Sequence, residues 1–84
     1  MNREAELIKY IDDVIIQQIY IRCNDQSDIT ERDAIKIYWT TTTILASANK
    51  CKNVKEFWHM KRYIFNFLLS YREARRQITI NKSQ

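Results

Sequence analysis

Lys61, Arg62, Arg72 and Arg76 lie within one stretch, EFWHMKRYIFNFLLSYREARRQ (residues 56–77), together with Trp58, Phe65 and Leu69. These residue types are suited to recognition rather than to bond making. Guanidinium groups form directional, often paired hydrogen bonds to carboxylates and phosphates. Large aromatic side chains offer apolar area that gains free energy when a partner desolvates it. If the stretch is helical, Phe57, Met60, Ile64, Phe67, Leu68 and Tyr71 form one continuous arc at ~100° per residue. That arc is the expected core face. Trp58, Phe65 and Leu69 stand outside it, at i, i+7 and i+11, as a second stripe among the cations.

A helix that is apolar on nearly all sides is either central to its own domain or presents a surface to something else. Three helices cannot wrap both faces of one of their number, so an exposed or partner-covered stripe is the expectation. Interfaces are enriched in aromatics and Arg, and Trp, Tyr and Arg dominate hot spots. Trp58, Arg62, Phe65, Leu69, Arg72 and Arg76 are therefore the candidate partner-binding residues. The occupants they suit are a protein with an acidic surface and a second copy of the chain.

Nucleic acid is the alternative partner. Lys52, Lys55, Lys61, Arg62, Arg75 and Arg76, with Arg72, are able to neutralise phosphates, while Trp58 or Phe65 is able to stack on bases or wedge into a groove. A recognition helix, however, usually presents short polar and basic side chains to the groove rather than a Trp-Phe-Leu stripe. That ordering puts a small regulator, inhibitor or adaptor acting by protein binding first, and a transcriptional regulator second.

Residues for catalysis are sparse. His59 is the single histidine and lies next to Met60; no Ser or Cys has an evident base near it in sequence. Asp12 and Asp13 are adjacent, so on a helix they point ~100° apart, a poor geometry for a shared acid–base site. Cys23, Cys51 and His59 would make at most three ligands without a close C-x-x-C spacing, so neither a metal nor another cofactor is expected. Two cysteines so far apart are expected to be reduced, half-buried thiols. The sequence predicts no enzyme.

The composition constrains the scaffold that must position these groups. The 84 residues include no Gly and no Pro, with 45% hydrophobic and 29% charged residues. Tight turns recruit Gly and Pro, so their absence disfavours sandwiches, barrels and phosphate loops and favours long helices. One domain is expected, near the lower size limit for a self-sufficient core. No apolar run approaches the ~18 residues of a membrane span and no signal-like opening is present, which predicts a cytoplasmic protein without a membrane segment. Net charge is +4 overall, but residues 1–49 carry five Lys/Arg against eight Asp/Glu, whereas residues 50–84 carry nine against two. Such asymmetry marks contact with an oppositely charged partner or with a neighbouring copy.

Three helices follow from the pattern. Over 3–22, Leu7, Ile8, Ile11, Val14 and Ile15 share one arc with Ile19 at its edge, Glu4 and Glu6 suit the positive end of the helix dipole, and Ile16 and Tyr20 fall outside. Asn24 is the expected terminator. Over 31–48, Thr30 is placed as N-cap with Asp33 three residues on, and Ala34, Tyr38, Thr41, Leu45 and Ala48 recur at helical spacing despite four consecutive threonines, which favour strands. Asn49 is the expected stop, and Asn53 with Glu56 caps the third helix, the longest, over 54–77. Residues 78–84 are expected as a flexible tail, with QITI able to pair as a short strand. The predicted fold is an all-α three-helix bundle in one domain, completed by dimerisation.

Overall fold

The computed structural model describes residues 2–22 and 29–83, with side chains through Ile78. Three α-helices account for nearly all of it: α1 Arg3–Arg22, α2 Glu31–Ser47 and α3 Val54–Ser83. No strand occurs among the described residues. At ~1.5 Å per residue the third helix is ~45 Å long, which accounts for the 47 Å long axis of a body only 22 × 18 Å across.

The helix boundaries are set by small polar side chains, as a chain without glycine requires. Asn2 Oδ1 accepts the N–H groups of Glu4 (2.9 Å) and Ala5 (3.3 Å) at the start of α1. Thr30 Oγ1 accepts the Asp33 N–H at 3.0 Å and caps α2 as the sequence predicts. At the other end of α2, Asn49 adopts φ 52°, the left-handed conformation normally left to glycine. Its N–H donates to Ala46 O (3.0 Å) and the Lys50 N–H to Leu45 O (3.4 Å), the hydrogen-bond pair of a Schellman stop. Asn53 Oδ1 accepts the Glu56 N–H at 2.8 Å. Glu56 does reach back, but to the N–H of Lys52 (2.8 Å) and to the Arg3 guanidinium (2.6 Å), which ties the start of α1 to the start of α3. Arg3 also donates to Lys50 O at 2.9 Å.

The core is a set of four-residue repeats. Leu7, Ile11, Ile15 and Ile19 are buried from α1, Ile37, Thr41 and Leu45 from α2, and Met60, Ile64 and Leu68 from α3, with Ile29 closing the end before α2. Side chains four apart share a helix face, so each helix presents one continuous ridge. Ile8, Tyr10, Tyr38, Phe57, Phe67 and Tyr71 pack half-buried around that centre. The expected core arcs hold for α1 and α3. In α2 the arc holds in part: Thr41 and Leu45 are buried and Ala34 and Tyr38 pack half-buried against them, but Ala48 is exposed and Ile37 and Thr42 are buried, because the ridge runs 37–41–45 rather than 34–38–41–45–48.

Two boundaries differ from expectation. Helix α2 stops at Ser47, with Ala48 as its C-cap. Helix α3 continues to Ser83, so the segment expected as a flexible tail or short strand from residue 78 is helical through 83. Once a helix is nucleated each further residue adds a hydrogen bond, and ITINKS contains neither Gly nor Pro to interrupt it. The Asn24 stop and Cys23 lie outside the described residues.

The threonine run stays helical because its inward members are packed. The Thr42 hydroxyl donates to Trp39 O at 3.0 Å. Thr41 is 1% exposed, and its hydroxyl is buried without a hydrogen-bond partner among the described residues. Thr41→Val keeps the branched shape and removes that hydroxyl. It should raise the unfolding free energy by about 1 kcal/mol, given the ~1–3 kcal/mol cost of an unsatisfied buried polar group. Urea denaturation of the two proteins measures the difference; a lowered midpoint for Thr41→Val would show the hydroxyl to be satisfied.

Candidate functional site

On α3 the core ridge of Met60, Ile64 and Leu68 turns inward, and the register one position on turns Trp58, Phe65 and Leu69 outward. They are 61%, 48% and 51% exposed. The second stripe is therefore not covered by the rest of the described chain. It also has a companion that the sequence reading missed. Ile35 and Trp39, one turn apart on α2, are 50% and 59% exposed beside it. Together with half-buried Tyr38 they make the opposite wall of an apolar groove of about 350 Å³ between α2 and α3, lined by Phe65, Leu68 and Leu69 from α3 and closed by Glu31 and Arg72. The signal was present in AIKIYW, where Ile35 and Trp39 stand outside the Ala34–Tyr38–Thr41–Leu45 arc at i, i+4.

Tyr38 organises the aromatic part. Its ring meets Trp39 edge-on at 5.3 Å and Phe65 edge-on at 6.3 Å, the arrangement favoured by aromatic quadrupoles. Lys61 Nζ sits 4.2 Å from the centroid of Trp58 and 6.0 Å from that of Trp39, so one ammonium lies between both tryptophans. A second, shallower concavity shares Tyr38 and Phe65 with the first and continues through Lys55, Trp58, His59, Lys61 and Arg62. The two form one track. From Trp58 to Leu69 it spans ~16 Å along α3.

The candidate cations divide by role. Arg62 and Arg76 are exposed, as are Lys52 and Lys55, and Arg75 is half-buried. Arg72 is engaged within the chain: its Nε donates to Ile29 O at 3.0 Å and holds the segment entering α2 against α3. Arg72 thus shapes one end of the groove as well as adding charge to it. Cys51 is half-buried and makes no disulfide among the described residues, with burial pushing its thiol pKa up. No group of three or more potential metal ligands occurs among the described residues, and none of the described helices is long and apolar enough to cross a membrane.

The side of α3 turned toward α1 carries a separate polar contact. The Tyr63 hydroxyl donates to Asp12 Oδ1 at 2.5 Å, while neighbouring Asp13 is exposed, so the two carboxylates do point apart. Burial first, and the Asp12 contact second, push the Tyr63 pKa up to about 12. A pKa raised above its unfolded value near 10 favours the protonated phenol in the fold. That contribution is complete below about pH 10 and is lost as pH rises through about 12. Unfolding free energy should accordingly fall over this interval by more in the wild type than in Tyr63→Phe, as followed by urea titrations at a series of pH values; parallel curves would remove the linkage.

Compared with known proteins, the chain matches no family model, no curated protein and no solved structure.

Proposed function

We propose that this protein is a small, non-enzymatic, cytosolic regulator, inhibitor or adaptor that acts by binding another protein through the α2–α3 face. The observation carrying this reading is the continuity of the exposed apolar track: Ile35, Trp39, Trp58, Phe65 and Leu69 are all about half exposed or more and flank two adjoining concavities. Scattered exposed apolar residues need no explanation, but a contiguous patch rimmed by charge marks an interaction surface. Lys61, Arg62 and Arg76 would meet carboxylates at its rim, and Trp58 would be the anchor.

A homodimer is the narrower form of the same reading, and the track sets a condition on it. Pairing two copies face to face would bring Lys61 and Arg62 near their own counterparts, a like-charge contact that low dielectric makes costly. A dimer therefore needs the acidic N-terminal half of one copy against the basic face of the other. Light scattering at micromolar concentration tests it: a dimer gives about twice the chain mass of 10.2 kDa, and a constant single mass removes self-association.

Nucleic-acid binding draws its support from the cations strung along α3 and from Lys61 stacked over Trp58. A gel-shift titration on random duplex separates it from protein binding. Phosphate-driven affinity falls by orders of magnitude between about 50 and 200 mM salt, and each lost Lys or Arg lowers the salt slope by about one. Tight binding with such a slope would reverse the order of the two functions; no binding at low salt leaves protein as the partner.

A further inference from the structure

We infer that the partner element received by the α2–α3 track is a single amphipathic helix with carboxylates beside its apolar stripe, docked as the fourth helix of the bundle. This rests on the protein-binding reading and specifies the partner's chemistry. Three observations carry it.

The first is shape. The track is a trough between two packed helices, ~16 Å long from Trp58 to Leu69, and its apolar walls are Ile35 and Trp39 on one side and Phe65 and Leu69 on the other. It is too elongated and too open for a compact small ligand, which pockets usually enclose over most of its surface. A helix of about three turns fills it, with anchors at i, i+4, i+7 and i+11. The second is charge. Lys55, Lys61 and Arg62 border the shallower half and no carboxylate does so among the described residues; the deeper half has one, Glu31, beside Arg72. A docked helix needs negative flanks to meet that rim.

The third is what the track disfavours. Its walls are apolar side chains rather than the donors and acceptors that read base edges, and a second copy laid face to face repeats Lys61 and Arg62 against themselves. The acidic, partly apolar outer side of α1, with Asp13 beside exposed Ile16 and Tyr20, is the segment a second copy would have to supply.

The protein reports occupancy of this track by itself, because its two tryptophans are Trp39 and Trp58. The probe is a capped synthetic peptide of about four turns with Leu at i, i+4, i+7 and i+11, Glu on both flanks and Ala elsewhere. One control replaces each Glu by Lys; a second keeps the composition but spreads the Leu residues around the helix. The acidic peptide should give a saturable blue shift of tryptophan emission and gain helical circular dichroism, with both controls at least about tenfold weaker. Phe65→Glu should weaken the acidic peptide at least about tenfold while far-UV circular dichroism of the protein alone is unchanged. The double variant Lys61→Glu/Arg62→Glu, which leaves the buried Met60, Ile64 and Leu68 ridge unaltered, should reverse the preference in favour of the Lys peptide.

Equal binding of the Glu and Lys peptides, or no shift up to about 1 mM, a ~−4 kcal/mol threshold, would overturn the inference. So would random duplex DNA shifting the emission where the acidic peptide does not. A blue shift that grows with protein concentration alone, together with a doubled mass, would assign the track to a second copy instead. In the no-binding case the broader reading stands or falls separately, on whether capture of a protein partner depends on Phe65.

Discussion

Ile64→Ala should lower the unfolding free energy by on the order of 2–5 kcal/mol, whereas Phe65→Ala, at the adjacent position, should change it by less than about 1 kcal/mol. Ile64 is 0% exposed at the centre of the ridge shared with α1 and α2, so truncation leaves a cavity that rigid neighbours fill only in part. Phe65 is 48% exposed, and its one described ring contact is the edge of Tyr38. A domain of this size has ~4–13 kcal/mol of stability in total, taking 0.05–0.15 kcal/mol per residue. The Ile64 change therefore removes a large share of it. Chemical denaturation of both variants gives the comparison. Equal losses in a demonstrated monomer would mean that Phe65 belongs to the core and that the exposed stripe does not exist.

The second large effect is on binding. Trp58→Ala should weaken the protein partner by about 2 kcal/mol or more, roughly thirtyfold. Trp58 is 61% exposed in the free chain, so more than half of its area remains to be desolvated, and Lys61 stacked on it at 4.2 Å limits the orientations it must give up. Arg62→Ala should act differently. An exposed rim arginine contributes mainly to encounter, so its loss should lower the on-rate and flatten the salt dependence, with a smaller change in off-rate. Calorimetry on the partner and stopped-flow association measure the two. A Trp58→Ala variant that binds as tightly as the wild type would remove the aromatic anchor.

The helical class, the start residues of all three helices and the caps at Thr30, Asn49 and Asn53 were legible in the sequence, because each rests on local chemistry: spacing, a short polar cap, a residue tolerant of positive φ. So was the exposed stripe on α3, since Trp58, Phe65 and Leu69 conflict with an arc already sufficient to fill one face. Two kinds of feature were not legible. The end of α3 was misjudged because β-branched ITI lowers local propensity, while continuation of an existing helix depends on the hydrogen bonds already formed before it. The α2 half of the site was missed because Ile35 and Trp39 gain meaning only from lying beside Phe65 and Leu69, a tertiary relation that single-helix periodicity does not carry. The same holds for Arg72, whose tie to Ile29 O spans a separation no motif announces.

Affinity capture from the native host should be run in parallel with wild-type protein and with the Trp58→Ala and Phe65→Glu variants, each with and without nuclease. If the α2–α3 face binds protein, the wild type retains a discrete protein after nuclease treatment and both folded surface variants lose it. Retention that vanishes with nuclease, or that persists unchanged in both variants, would contradict a protein-binding role for this face.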